Sequence, residues 1–150
     1  MVLQQLALRR VRFSKEADSW LKVMKSRTGI TPNLLCRLAV CLSLNEQGVP
    51  NPAKYPEDSD REINRYTLLG EFDAAFVALL RQRFVQDKVG EEMELDAYFR
   101  AHLHRGIMVL ATRLKGLSDL ADLVTNSGKA PGPRARGSKG ARGRGKRAVS

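Results

Sequence analysis

The first regular pattern along the chain is a short alternation of apolar and basic residues from Leu8 to Phe13. Val11 and Phe13 fall on one side of this run, whereas Arg10 and Arg12 fall on the other. Because successive side chains of a β-strand point to opposite faces, a period of two is typical of a half-buried strand. The pattern therefore predicts an N-terminal strand with one apolar face and one basic face.

Two helices with local start and stop signals follow the strand. Ser14 is a good N-cap for a helix over Lys15–Arg27, and Gly29 suits the left-handed conformation that ends a helix. Thr31 followed by Pro32 starts the second helix, since proline at the first helical position loses no hydrogen bond. Apolar residues at helical spacing predict the buried face of each helix. These are Ala17, Trp20, Leu21 and Met24 in the first helix, and Leu34, Leu35, Leu38, Ala39 and Leu42 in the second.

The rest of the patterned sequence is also helical. Residues 48–59 are rich in Pro, Asn and Asp and predict a loop. The run Ile63–Gly70 leads into an amphipathic helix over Glu71–Asp87, and further helices are expected over Glu92–Lys115 and Asp119–Val124. The predicted face of the helix at 71–87 comprises Phe72, Ala75, Phe76, Leu79, Leu80 and Arg83. The chain is therefore predicted to be mainly α, a helical bundle with a short N-terminal strand.

The net charge of +10 is distributed unevenly over the 150 residues. Residues 1–37 hold eight basic and two acidic residues, residues 38–126 hold ten basic and fourteen acidic residues, and residues 127–150 hold eight basic and no acidic residues. This distribution excludes a uniformly basic protein. Residues 126–150 are low-complexity Gly/Pro/Ser/Lys/Arg sequence, for which we expect a disordered basic tail. Residues 1–125 are then predicted to form a single helical domain.

Membrane and secretion signals are missing from the sequence pattern. No apolar run approaches the ~20 residues that span a bilayer, and the N-terminal positive charges follow the apolar residues instead of preceding them. Cys36 and Cys41 are the only two cysteines and lie too far apart along one helix to form a disulfide. We expect two buried thiols, no membrane association and a cytoplasmic location.

A strand with outward arginines, followed by two helices and a Gly-containing turn, resembles the ribbon–helix–helix unit of DNA-binding proteins, chiefly over Thr28–Val40. In that unit two chains pair their strands into an antiparallel ribbon that enters a DNA groove. Arg10 and Arg12 would project from the ribbon, and the second helix would offer its N-terminal N–H groups to a phosphate. The alternative is that both arginines form the solvated face of an edge strand.

Further basic residues lie on the polar side of the first helix: Lys15, Lys22, Lys25 and Arg27. The three lysines fall near one helical stripe. A lysine stripe is usually a solvated face, but next to a strand of arginines it favours contacts to DNA phosphates, which add salt-sensitive affinity. The C-terminal tail resembles RG-rich arms that bind nucleic acid by charge; alternatively it serves solubility.

Candidate catalytic residues are few. His102 and His104 are two positions apart in one helix and point in different directions, so they cannot share a metal. Asp96, His102 and Arg105 have a spacing that is more often an exposed helix face than a site. The sequence contains no phosphate loop, catalytic triad or suitably spaced pair of carboxylates. We therefore expect no enzymatic activity, no metal and no cofactor.

Three ordered blocks, Arg12–Leu44, Ile63–Arg83 and Ala101–Leu123, resemble the DndE family of DNA sulfur modification proteins, which act in bacterial DNA phosphorothioation. The most distinctive parts are NRYTLLGE and TGITPNLLCR, and the resemblance covers residues 8–124. It implies an α-rich homo-tetramer that binds double-stranded DNA and prefers a nicked duplex. It also implies three partners in the sulfur modification machinery: a cysteine desulfurase, an iron–sulfur sulfurtransferase and an ATPase.

The resemblance also implies which residues bind DNA. The family's basic surface carries over to Lys15, Lys22, Lys25, Arg27 and Arg37 of this chain. Arg37 sits among apolar neighbours, so a subunit contact is an alternative role for it. The leading hypothesis is a noncatalytic DNA-binding subunit of the modification machinery. The alternatives are a ribbon–helix–helix transcriptional repressor and a nicking enzyme of the same system.

Overall fold

The computed structural model describes residues 5–126, so the predicted basic tail lies outside the described residues except for Asn126. Six α-helices and one two-stranded antiparallel sheet make up this part of the chain, which confirms the mainly α prediction. Short 3-10 turns at Pro52–Lys54 and Gly70–Phe72 connect them. In chain order the elements are β1 (Arg10–Arg12), α1 (Lys15–Thr28), α2 (Pro32–Asn45), β2 (Glu62–Asn64), α3 (Arg65–Leu69), α4 (Asp73–Gln86), α5 (Leu95–Arg113) and α6 (Asp119–Asn126).

Helix α5 is the centre of the domain, and twelve of its nineteen residues are buried. A helix buried on most sides must have neighbours on most sides. Helix α2 is its main partner, and the two backbones touch where Gly106 meets Ala39. Helices α1 and α4 pack on other parts of α5. The prediction of a long helix here is correct, although it begins three residues later than the sequence indicated.

Helix α1 begins and ends where the local signals predict. The Ser14 hydroxyl accepts a hydrogen bond from the Ala17 N–H at 3.1 Å, and Gly29 adopts a φ of 74° at the C-terminal end. Trp20, which was expected to be buried, is 36% exposed because it lies at the edge of the apolar stripe. The buried residues of the helix are Ala17, Leu21 and Met24.

Helix α2 starts at Pro32 as predicted, but its buried face is rotated by about one position. Leu34 was expected in the core and is 47% exposed. The helix is apolar on several sides, and the close approach of Ala39 to α5 decides which side is covered. Of the two cysteines, Cys36 is buried and Cys41 is exposed, so only one of the two expected buried thiols is found. The buried residues are Leu35, Cys36, Ala39, Val40 and Ser43.

Strand β1 pairs in antiparallel register with β2, with Val11 opposite Ile63. The order strand–helix–helix is confirmed. The strand that completes the ribbon, however, comes from the same chain and not from a second chain as in the ribbon–helix–helix unit. The sequence did not predict β2, because Ile63 is its only apolar residue and one apolar residue among polar ones shows no alternation. On the other edge of β1, the Arg100 Nε donates a hydrogen bond to the Arg12 carbonyl at 3.1 Å.

Helix α4 buries less of its surface than its pattern predicts. Within the helix only Phe76 and Leu80 are buried, whereas Leu79 is 49% exposed; Phe72, in the turn before the helix, is 50% exposed. Helix α4 therefore leaves apolar side chains on the surface of the single chain. None of the described helices is both long enough and apolar enough to cross a membrane.

Candidate nucleic-acid interface

The outer face of the ribbon presents Arg10 and Arg12 to solvent, as the alternation predicted. Val11 is fully buried and fixes which face points outward. The cross-strand neighbours of the two arginines are Asn64 and Glu62, respectively. Since directly opposite residues share a face of the sheet, Glu62 places a carboxylate beside Arg12. The ribbon therefore offers two arginines with one acid among them, and not a uniformly positive face.

The exposed side of α1 carries the lysine row, which we define as Lys15, Lys22 and Lys25. Ser19 and Ser26 are also exposed, and their spacing from Lys15 and Lys22 places them on the same stripe of the helix. Hydroxyl groups, like ammonium groups, donate hydrogen bonds to phosphate oxygens. Sequence reasoning found the lysines and missed the serines, although the helical spacing that identified the former applies equally to the latter.

One acidic residue, Asp18, lies within the lysine row. Its Oδ2 is 3.3 Å from the Lys22 Nζ and accepts a hydrogen bond from the Ser59 hydroxyl at 2.9 Å. The Arg61 Nε contacts the other oxygen, Oδ1. Burial raises the pKa of Asp18, but the hydrogen bonds from these three side chains outweigh it and lower the pKa below its usual value. Asp18 is therefore ionised at neutral pH and subtracts a charge from the lysine row.

The start of α1 is held in place by contacts from two other parts of the chain. The Asp58 carboxylate accepts a hydrogen bond from the Lys15 N–H at 2.8 Å. The neighbouring Ser14 N–H donates to the His104 Nε2 at 3.1 Å. A carboxylate at a helix N-terminus also interacts favourably with the helix dipole. These contacts hold the first turn of α1 against α5 and against the loop that precedes β2.

Two further exposed arginines lie next to β1 and at the end of α1. Arg27 lies in the last turn of α1, where a positive charge also complements the helix dipole. Arg9 directly precedes β1, and sequence reasoning did not select it, although it belongs to the same basic run as Arg10. Among the residues that the structure describes, Arg9 and Arg27 have no ion-pair partner. Both guanidinium groups are therefore accessible to a phosphate.

Arg37 lies in a different environment from the other predicted DNA-binding residues. Its Nε donates to the Leu68 carbonyl at 2.7 Å, and its Nη2 is 3.4 Å from the Thr67 carbonyl. Gly70 makes room for this side chain, since a Cβ at that position would lie 2.5 Å from the Arg37 Nη2. Arg37 therefore ties α2 to the end of α3, which gives it a structural role within the chain.

The sequence pattern favoured an exposed face of α5 with Asp96, His102 and Arg105, and this prediction is wrong for His102. His102 is fully buried, with its Nδ1 2.8 Å from the Ser43 hydroxyl, and the Arg105 Nε donates to the same hydroxyl at 2.9 Å. Burial is the main cause that lowers the pKa of His102 to about 3, with nearby arginines adding to it. Asp96 instead accepts a hydrogen bond from the Ala7 N–H at 2.8 Å. The three residues therefore do not form one site.

His104 has its own buried partners, as its spacing from His102 predicted. Its Nδ1 is 2.8 Å from the Arg100 carbonyl, and its Nε2 accepts the hydrogen bond from Ser14. These partners place the ring proton on Nδ1. Burial lowers the pKa of His104 to about 4, so the ring is neutral. No group of three or more metal-binding side chains comes together within residues 5–126.

These features define a small, mainly α protein in which an N-terminal ribbon and the first helix carry a basic surface. Residues 10–117 match the family of DNA sulphur modification protein DndE, and the chain belongs to this family. The resemblance found in the sequence is thus confirmed, and it links the protein to DNA phosphorothioation. No curated protein is significantly similar in sequence.

Two crystal structures show the same fold. DndE from Escherichia coli B7A, which is involved in DNA phosphorothioation modification, shares 28% identity at a TM-score of 0.58, covering 71% of this chain and 99% of that one. A DndE mutant involved in DNA phosphorothioation shares 28% identity at a TM-score of 0.53, with 70% and 98% covered. Because both relatives are covered almost completely, the extra length of this chain lies outside the shared domain.

Proposed function

We propose that this protein is a noncatalytic DNA-binding subunit of the DNA phosphorothioation machinery. The observation that carries the proposal is the basic surface of the ribbon and α1, where Arg10, Arg12, Arg27 and the lysine row are all exposed. Lysine and arginine side chains neutralise phosphates and release counterions from duplex DNA. Such contacts position a protein on DNA without reading its sequence. The ligand that this surface fits best is therefore the backbone of double-stranded DNA.

A noncatalytic role agrees with the environments of the histidines. The pair formed by His102 and Ser43 is of the kind that nucleophilic catalysis uses, but both side chains are fully buried. His104 uses both ring nitrogens to hold the backbone of α1 and α5. We assign these histidines to the stability of the domain and DNA binding to its basic surface.

As the family resemblance implies, we further propose a preference for nicked duplex, a homo-tetramer, and cooperation with an iron–sulfur sulfurtransferase, an ATPase and a cysteine desulfurase. We also propose a cytoplasmic location. The apolar side chains that a single chain leaves on its surface agree with association between copies. Among these are Leu34, Tyr66, Phe72 and Leu79. Several copies in a symmetric oligomer would bring their basic surfaces together and widen the area that contacts phosphate.

Gel-shift titrations of the full chain against intact and nicked duplexes of one sequence, at several salt concentrations, test the proposal. We expect binding whose affinity falls steeply with salt, because each phosphate contact adds about 0.9 to the slope of log affinity against log salt. The double variant Lys22→Gln/Lys25→Gln should lower both the affinity and the slope. The double variant Lys88→Gln/Lys115→Gln removes the same charge from exposed positions outside α1 and should change both far less.

Several results would overturn parts of the proposal. Salt-independent binding, or no binding by the intact protein, would exclude a phosphate-binding surface. Equal affinity for both duplexes would exclude the nick preference, and a monomeric mass in solution would exclude the tetramer. Metal-dependent nicking of DNA that is abolished in His102→Ala would show that the protein is an enzyme and would exclude the noncatalytic role.

A further inference from the structure

Asp18 occupies an unfavourable position for a protein that binds phosphate through α1. It is three residues after Lys15, four before Lys22 and seven before Lys25, so it shares their side of the helix. Its lowered pKa keeps it ionised at neutral pH. A free carboxylate at this point would repel phosphate and would also compete with it for Lys22, whose Nζ is already 3.3 Å away.

Arg61 provides the counter-charge that Asp18 needs. Its Nε contacts Oδ1 of Asp18, while the Ser59 hydroxyl occupies Oδ2. The pair is only slightly exposed, at 24% for the Arg61 side chain and 14% for that of Asp18, whereas Lys22 is 67% exposed. Partly buried charges are less screened by salt than exposed ones. Arg61 is therefore the stronger and more permanent partner, and Lys22 is a peripheral one.

The backbone around Arg61 holds its side chain in this place. The Arg61 N–H donates to the Ser59 hydroxyl at 3.1 Å, and the Arg61 carbonyl accepts from the Phe13 N–H at 3.1 Å. Phe13 directly follows β1, so the same contact extends the ribbon up to Arg61. The ribbon and the charge of Asp18 are thus coupled through one residue.

We propose that Arg61 is a positioning residue of the DNA-binding surface, which neutralises Asp18 and thereby leaves Lys22 available to phosphate. This inference rests on the proposed function. Arg61 can perform this role without contacting DNA itself. When the guanidinium is removed, the Asp18 carboxylate retains Lys22 as its remaining cationic partner. The lysine row then has one cation fewer to offer to phosphate and one more repulsive charge.

The competing explanation is that Arg61 only fastens the segment before β2 to α1. The two explanations predict opposite effects of Asp18→Asn on the affinity for DNA. If charge is what matters, Arg61→Gln lowers DNA affinity and Asp18→Asn raises it, each by roughly three- to tenfold at low salt, and the double variant returns close to the original affinity. If the contact is only a fastener, both single variants bind more weakly and the double variant does not recover the affinity.

Gel-shift titrations of the full-length variants at roughly 50 to 200 mM salt make this distinction, with thermal unfolding followed in parallel. Arg113→Gln is the control for Arg61→Gln, because Arg113 is in an exposed ion pair with Glu46 at the C-terminal end of α2. Glu16→Gln is the control for Asp18→Asn, because Glu16 is an exposed acid on α1 outside the stripe of the lysine row. Arg61→Lys keeps the charge and should keep most of the affinity.

The outcomes separate this inference from the proposed function. If the unaltered protein does not bind duplex in a salt-dependent manner, the proposed function fails and the inference fails with it. If the unaltered protein binds but a folded Asp18→Asn variant binds more weakly, or the double variant shows no recovery, only the inference fails. Should Arg61→Gln be unfolded, the gain expected of Asp18→Asn beyond that of Glu16→Gln still decides the question.

Discussion

Gly106 of α5 packs directly against the backbone of Ala39 in α2, so that a Cβ at position 106 would lie 1.8 Å from the Ala39 carbonyl oxygen. No side-chain rotation can relieve a contact between a Cβ and a backbone oxygen. The two helices would have to separate, and they form the largest interface of the domain. The position therefore requires glycine for its lack of a side chain and not for its backbone freedom.

Gly106→Ala should consequently destabilise the protein by about 3 kcal/mol, the upper part of the range for overpacked cores. The free energy of urea unfolding measures this effect. Gly116→Ala is the matched control, since nothing lies within 4 Å of a Cβ built there, and it should change stability by less than about 0.5 kcal/mol. Similar stabilities for the two variants would contradict the close packing.

The sequence predicted the parts of the fold that local signals determine. Ser14 and Gly29 mark the ends of α1 because a cap requires only a neighbouring N–H or a left-handed φ, both of which are local properties. The buried face of α2 could not be predicted in the same way. Apolar residues surround much of that helix, and the contact at Gly106 decides which of them is covered.

The candidate site was predictable to a similar extent. The lysine row follows from helical spacing, which needs no tertiary information. The pairing of Asp18 with Arg61 joins residues 43 positions apart, and only the position of β2 brings them together. Arg37 and Arg27 both belong to the basic segment 1–37, yet the hydrogen bond from Arg37 to α3 gives Arg37 a structural role. The basic residues can therefore be identified from the sequence, but their hydrogen-bond and ion-pair partners cannot.

Acid should destabilise the domain through its two buried histidines. Both pKa values are lowered in the folded state, that of His104 to about 4 and that of His102 to about 3, from an ordinary value of 6.5. Below pH 6.5 the unfolded chain therefore binds more protons than the folded chain. Stability is complete above pH 6.5 and falls as the pH drops towards 4, by up to about 1.4 kcal/mol per pH unit for each histidine.

Urea unfolding at a series of pH values checks this expectation, with His104→Gln as the comparison. The variant lacks one titrating group, so its stability should fall about half as steeply between pH 6 and 4.5. Asp18 and Asp87, whose pKa values are also lowered, add to the destabilisation only below about pH 4. A stability that does not change between pH 6.5 and 4.5 would show that the histidines titrate normally.

Arg105 should contribute more to stability than its position near the surface suggests. Its guanidinium donates to the Ser43 hydroxyl and, at 2.8 Å, to the carbonyls of Ser43 and Gly48, so it caps the C-terminal end of α2. Arg105→Met removes these three hydrogen bonds from this end of α2, while the Glu46 N–H still donates to the Ser43 carbonyl and Arg83 to the Gly48 carbonyl. The loss of three bonds from a charged donor should cost about 2 kcal/mol. Arg113→Met removes an exposed ion pair and should cost less than about 1 kcal/mol. Chemical denaturation compares the two, and equal destabilisation would argue against the capping role.

Deleting residues 127–150 should separate the contribution of the tail from that of the folded domain. The segment holds eight basic residues and no acidic ones, and it lies outside the part of the chain that matches DndE. If it binds DNA by charge, the truncated protein should retain its oligomeric mass and its discrimination between nicked and intact duplex. Its salt dependence should be shallower, by about 0.9 for each phosphate that the tail neutralises in the full-length protein. A full-length variant with glutamine at all eight basic positions should behave like the truncation; an unchanged slope in both proteins would assign DNA binding to the domain alone.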